Sequence, residues 1–102
     1  MHAIVQWLSP EVGGYESPPQ SGRFVSPAVL DHPYPQGDMW SLELFGITPN
    51  TSGTVLANVR LLVSDAPVEL LQLGTQFMLL DGRRVVAIGR VTSVAEALPQ
   101  AG

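Results

Sequence analysis

Arginine supplies all five strongly basic side chains of this chain, which contains no lysine. Arg83, Arg84 and Arg90 lie close together near the C-terminal end. A guanidinium can bind a phosphate or a carboxylate through two parallel hydrogen bonds. Arg84 and Arg90 are separated by an even spacing, which places them on one face of a regular strand. The cluster is therefore a candidate anion-binding patch, but the interpretation we favour is a solvated face on which these arginines pair with Asp or Glu of a neighbouring strand.

Side chains suited to catalysis or metal binding are sparse. The absence of cysteine excludes disulfides and thiolate metal sites. His2 and His32 are the two imidazoles, whereas a protein metal site usually needs three or four ligands. The sequence contains neither a Gly-x-Ser-x-Gly motif nor a P-loop. We therefore predict a protein that is not an enzyme, needs no cofactor and binds no metal.

The overall charge argues against nucleic-acid binding through a general electrostatic field. Nine carboxylates outweigh five arginines, which gives a net charge of −4, and an acidic domain does not attract phosphate backbones. Charged residues make up 14% of the chain and hydrophobic residues 45%, against a usual charged share of about 25%. This shortage of polar surface predicts that a partner covers one face.

Length and the N-terminal sequence indicate one domain outside the membrane. The chain has 102 residues, which fits a single domain. The segment that starts at Met1 has no basic flank and too short an apolar run for a signal peptide. No stretch approaches the ~20 apolar residues of a membrane helix. We predict a cytoplasmic, bacterial-type protein with one domain over residues 1–94 and a frayed tail over 95–102.

Short alternating or apolar segments, separated by glycine, proline and serine, predict an all-β domain. The predicted strands span residues 2–8, 23–30, 39–46, 54–64, 75–80 and 84–94. Asp81-Gly82 is typical of a tight hairpin turn, and Pro27 indicates a strand edge or a bulge. Residues 68–73 fit either a short helix or a short strand. Six strands joined by turns predict a closed or nearly closed antiparallel barrel, or a sandwich.

The last predicted hairpin and two loops offer surfaces for a partner. Apolar residues of the hairpin, including Leu80 and Ile88, are placed on both faces, so the outward ones would form an exposed patch. Tyr15 and Tyr34 lie in proline-rich loops, which lose little entropy on binding. The alternative is that these tyrosines pack the loops onto the ends of the barrel.

Both ends of the chain resemble the C-terminal domain of elongation factor Tu. The segment AIVQWLSPEVGG, residues 3–14, is similar to the first strand and turn of that domain. The segment GTQFMLLDGRRVVAIGRV, residues 74–91, is similar to its final hairpin. The resemblance covers roughly residues 3–94 and implies a six-stranded antiparallel, Greek-key-like β-barrel that is not catalytic. In the factor this barrel packs on the GTPase domain, contacts the T-stem of aminoacyl-tRNA and docks the exchange factor.

Three positions depart from the pattern of that family. Tyr15 follows the glycine pair where the family has an arginine, and Leu80 precedes the acidic-glycine turn where the factor has a tRNA-contacting basic residue. Gly53 lies in Ser-Gly-Thr, where the family has Pro-Gly-Asp. Because two basic contacts are replaced, the resemblance implies the barrel more strongly than it implies tRNA binding.

The sequence thus predicts a non-catalytic binding module that docks a protein partner, or a second copy, through the last hairpin and adjacent loops. The alternative is an RNA- or tRNA-binding accessory of translation that uses the arginine patch, and a small enzyme is the third hypothesis. The candidate partner-binding residues are Tyr15, Tyr34, Leu80, Arg83, Arg84, Ile88 and Arg90.

Overall fold

The computed structural model describes residues 1–31, 39–51, 53–62 and 71–93. Its strands are β1 (His2–Trp7), β2 (Gly22–Asp31), β3 (Met39–Pro49), β4 (Thr54–Leu61), β5 (Gln76–Asp81) and β6 (Arg84–Ser93), with a 3-10 turn at Pro10–Val12. They close into a barrel in the order β1-β4-β3-β2-β5-β6, and each neighbouring pair is antiparallel. The meander β2-β3-β4 with β1 beside β4 is a Greek-key arrangement. The predicted six-stranded antiparallel barrel is confirmed.

The barrel interior is filled by the inward residues of alternating strands. In β1, Ala3, Val5 and Trp7 are buried while the residues between them are more exposed. The same alternation in β3, β4, β5 and β6 completes one core, which includes Leu42, Leu44, Val55, Ala57, Val59, Phe77, Leu79, Ala87 and Val91. Full burial of a large aliphatic or aromatic side chain contributes about 1.5–3 kcal/mol, so this core is the main source of stability.

Two strand ends differ from the sequence-based prediction by three residues, and the others differ by one residue at most. β3 continues to Pro49, beyond the predicted end at residue 46, because a bulge between Phe45 and Thr48 carries the strand past Gly46. Gly46 has a φ of 61°, and a Cβ there would lie 2.9 Å from the side chain of Asn58. β4 ends at Leu61 rather than at residue 64. Most of the 31–38 loop, residues 63–70 and the 94–102 tail lie outside the described residues, as does most of the ambiguous 68–73 segment.

Pro27 occupies a position in β2 that pairs with β3 but not with β5. β2 pairs with β3 along most of its length but with β5 only from Ala28 onward. The edge or bulge predicted at Pro27 is found only in part: β2 has a neighbouring strand on both sides of the closed barrel, and its pairing with β5 begins at Ala28, directly after Pro27. The hydroxyl of Ser26 donates a hydrogen bond to the carbonyl of Leu80 at 2.8 Å. Pro27 has no backbone N–H to donate, so the Ser26 hydroxyl satisfies this β5 carbonyl in its place.

Gly89 is the residue that lets the ring of Phe77 lie across the inner face of β6. The two residues are direct partners in the β5–β6 ladder. A Cβ at position 89 would lie 2.2 Å from Cζ of Phe77, far inside van der Waals contact. Phe77 is only 1% exposed, so its ring has little room to move.

Substitution of Gly89 therefore tests the packing of the hairpin that carries the candidate site. We expect Gly89→Ala to lower the free energy of unfolding by about 1–3 kcal/mol, as overpacking of a core does. Chemical denaturation measures this change. In a Phe77→Leu background the same substitution should be less destabilising, because the ring that the new methyl group meets is gone. Equal losses in both backgrounds would contradict the contact.

Candidate functional site

An apolar surface lies on the outside of β1, β4, β5 and β6. Ile88 of β6 is directly opposite Met78 of β5, and these side chains are 45% and 39% exposed. Ile4 of β1 is opposite Arg90 on one side and Leu56 of β4 on the other. We call the surface formed by Ile4, Leu56, Met78, Ile88 and Arg90 the hairpin face. Four neighbouring strands thus present apolar side chains to the exterior around one arginine.

A shallow depression of about 200 Å³ lies within the hairpin face. Ile4 and Ile88 form its apolar walls, and Gln6, Gln76 and Arg90 supply its larger polar side chains. Gly89 also borders it, although the residue itself is buried. The depression combines aliphatic contact with amide and guanidinium hydrogen-bond donors.

The side chains directly opposite Arg90 on both neighbouring strands, and those next to it on the same face of β6, are uncharged. Its cross-strand partners are Gln76 on β5 and Ile4 on β1. Along β6, Ile88 and Thr92 precede and follow it on the same face. Within the described part of the chain, the ion pairs involve Arg23, Arg60 and Arg84 but not Arg90. The positive charge of the hairpin face is therefore not neutralised by these neighbours.

A bulge in β6 separates Arg84 from Arg90. Leu79 pairs with Ala87 and Leu80 pairs with Val85, which leaves Val86 as an extra residue. Val86 and Ala87 are consecutive and both fully buried, so the alternation of the strand shifts by one position there. The prediction that Arg84 and Arg90 share a face is therefore wrong, because it assumed a regular strand.

Arg84 and Tyr15 instead meet at one end of the barrel. The hydroxyl of Tyr15 donates to Oδ2 of Asp81 at 3.1 Å, and Nη2 of Arg84 lies 3.3 Å from the same oxygen. The Tyr15 ring packs beside Trp7 and Phe24, with centroid distances of 6.3 and 6.1 Å. Partial burial, and then the hydrogen bond to Asp81, raise the pKa of Tyr15. Tyr15 thus packs its loop onto the barrel end, which is the alternative given for it above.

A cluster of three charged residues that was not predicted from the sequence lies on the other side of the barrel. Glu43 of β3 is directly opposite Arg60 of β4, and its carboxylate accepts hydrogen bonds from Arg60 and from Arg23 of β2. Glu43 is only 1% exposed, although it lies on the outward side of its strand. The Arg60 guanidinium also lies 4.9 Å from the ring centroid of Phe45. Finding this cluster from sequence would have required the β3–β4 register, which no local pattern specifies.

Arg83 and Leu80 are not brought into the hairpin face. Arg83 is exposed in the turn between β5 and β6, and Leu80 is half-buried beside it. Tyr34 and His32 lie outside the described residues. Of the seven candidate residues, the structure places Ile88 and Arg90 together in the hairpin face and gathers Tyr15 and Arg84 at the barrel end.

Comparisons with protein-family models, with curated proteins and with solved structures found no match for this chain. Within the described residues, no helix has the length and apolar character to cross a membrane, and no group of three or more His, Asp or Glu side chains could hold a metal ion. The inference of function therefore depends on the geometry of the hairpin face.

The charged cluster predicts a pH-dependent contribution to stability. Hydrogen bonds from Arg23, and then from Arg60, hold the pKa of Glu43 below its ordinary value. A carboxylate with a lowered pKa in the folded state stabilises the fold above the pKa of the unfolded chain and loses that effect as the pH falls through the lowered value. Glu43→Gln should therefore reduce Tm at pH 7, measured by circular dichroism. The difference from the wild type should shrink in strong acid.

The exposed residue Glu16 provides the matched control, since Glu16→Gln removes the same charge from a loop. Its Tm should stay near that of the wild type at both pH values. A Glu43→Gln difference that is constant with pH would contradict the ionic origin of the contribution.

Proposed function

We propose that this chain is a cytoplasmic, non-catalytic binding module that docks a protein partner through the hairpin face. The observation that carries the proposal is the exposed pair of Ile88 and Met78, with Ile4 and Leu56 continuing the apolar surface across β1 and β4. An outward sheet face in water is normally polar. A contiguous exposed apolar patch is a feature of protein interaction sites.

The partner would contact side chains rather than extend the sheet. β1 pairs with β4 and β6, and β6 pairs with β1 and β5. Strand addition needs an unpaired edge with free amide and carbonyl groups, which the middle strands of the hairpin face do not offer. Specificity would therefore come from the aliphatic side chains and the polar groups around the depression.

The arginines favour a protein partner over RNA. Arg23 and Arg60 are engaged with Glu43, and Arg84 is engaged with Asp81. The β6 bulge also separates Arg84 from Arg90, so the predicted patch of three arginines is divided between the turn and the hairpin face. Affinity for RNA depends on several cations that contact phosphates together, and a net charge of −4 opposes it.

We also propose that the barrel is a relative of the C-terminal barrel of elongation factor Tu. The two segments that resemble that domain form β1 with its 3-10 turn and the β5–β6 hairpin, which are adjacent because β1 pairs with β6. In the factor, such surfaces are covered by its other domains. In this barrel the corresponding residues Met78, Ile88 and Leu56 are exposed, so a different protein would cover them.

The docking proposal predicts a specific effect of a charge placed in the hairpin face. We expect Ile88→Asp to reduce recovery of a partner by affinity capture from the cytoplasm at least about tenfold, because a buried unpaired carboxylate opposes docking. Leu73→Asp is the matched control, since Leu73 is also exposed but lies outside the hairpin face. It should recover the partner as the wild type does.

Both variants should retain the wild-type circular dichroism melt, because both positions face solvent. Size-exclusion chromatography with light scattering separates a foreign partner from a second copy of this chain. Equal recovery by Ile88→Asp and Leu73→Asp would contradict the assignment of the docking surface.

A further inference from the structure

We infer that the hairpin face selects a partner segment in which a carboxylate adjoins aliphatic side chains, and that Arg90 binds the carboxylate. This inference rests on the proposed function and specifies the chemistry of the partner. Three observations support the inference: the strand neighbours of Arg90 are neutral, the depression has aliphatic and amide lining residues, and a two-fold dimer would bring two Arg90 side chains into one interface.

The charge of Arg90 is the first of these observations. Its ladder partners are Gln76 and Ile4, and its neighbours along the strand are Ile88 and Thr92. None of these side chains carries a negative charge. A guanidinium presents five donors in a planar arrangement that matches a carboxylate. An acidic group from outside the chain would therefore find both charge and hydrogen-bond complementarity at Arg90.

The depression limits the size and character of what can enter. Its volume of about 200 Å³ is below the range of roughly 300–1,000 Å³ usual for small-molecule pockets. Ile4 and Ile88 line it together with the amide side chains of Gln6 and Gln76. This space suits one aliphatic side chain, while the amides can donate to and accept from the peptide groups beside it. The occupant is thus a peptide segment rather than a cofactor.

Self-association fits this face less well than a foreign partner does. A two-fold interface places the same patch of both copies against each other. Two Arg90 side chains would then enter one interface. Their direct cross-strand neighbours Gln76 and Ile4 bring no carboxylate, and Asp31 lies one strand further away, opposite Gln76. A foreign segment with its own acidic residue avoids this repulsion.

Selection from a library of short random peptides tests the inference. The probes are the wild-type protein, Arg90→Glu, Arg90→Lys and Ile88→Asp, each immobilised in the same way. The wild type should enrich peptides with Asp or Glu next to Leu, Ile or Val. Arg90→Glu should enrich peptides with Lys or Arg at that position instead, and Arg90→Lys should keep the acidic preference.

A synthetic copy of the best peptide with Asp or Glu changed to its amide should bind the wild type about tenfold more weakly. The same change in the peptide should have little effect on binding to a further variant, Arg90→Gln, because that variant lacks the positive charge.

The remaining outcomes separate this inference from the docking proposal. Enrichment of neutral aliphatic peptides, lost in Ile88→Asp but equal for the wild type and Arg90→Glu, would overturn the role of Arg90 and leave the docking proposal standing. A dimer of the free protein that disappears in Arg90→Glu would overturn the foreign acidic partner in favour of a second copy. No enrichment at all would overturn the inference, and the capture experiment with Ile88→Asp would then decide the docking proposal independently.

Discussion

Closure of the sheet decides which side chains of this protein can meet a partner. β1 pairs with β4 on one side and β6 on the other, so the six strands form a continuous ring. The interior of such a small barrel is filled by inward side chains, and every other residue of a regular strand must point outward. The exposure of Ile88 and Met78 therefore follows from closure, because their inward neighbours Phe77, Leu79 and Gly89 already occupy the interior.

Much of the fold could be predicted from local pattern. The Asp81-Gly82 turn and the alternation of residues such as Val55, Ala57 and Val59 give the strands and the last hairpin, because turn chemistry and a period of two are encoded over a few residues. Ile88 was recognised as a candidate contact for the same reason. The β6 bulge was not predicted, because its extra residue, Val86, is of a type that is common in regular strands.

The arginines show why the candidate site was harder to predict than the barrel. Sequence proximity grouped Arg84 with Arg90, but a single extra residue at Val86 changed which face each one meets. Conversely, Arg23, Glu43 and Arg60 are far apart in sequence and meet because β2, β3 and β4 are adjacent. Register between strands depends on the whole sheet, so the pairing of charges could not be obtained from spacing along the chain.

The arginines have different electrostatic environments on different parts of the barrel surface. On one side of the barrel Glu43 holds two guanidinium groups, and at the end Asp81 holds Arg84 and Tyr15. The hairpin face combines Arg90, whose strand neighbours are neutral, with exposed aliphatic side chains. We propose that a partner docks on this face rather than elsewhere on the barrel. Photocrosslinking in living cells, with a photoreactive amino acid at position 88 and at the reference position 73, measures it most directly. We expect a discrete crosslink to one foreign protein from position 88 and none from position 73. The absence of a crosslink from position 88, or the same products from both positions, would contradict it.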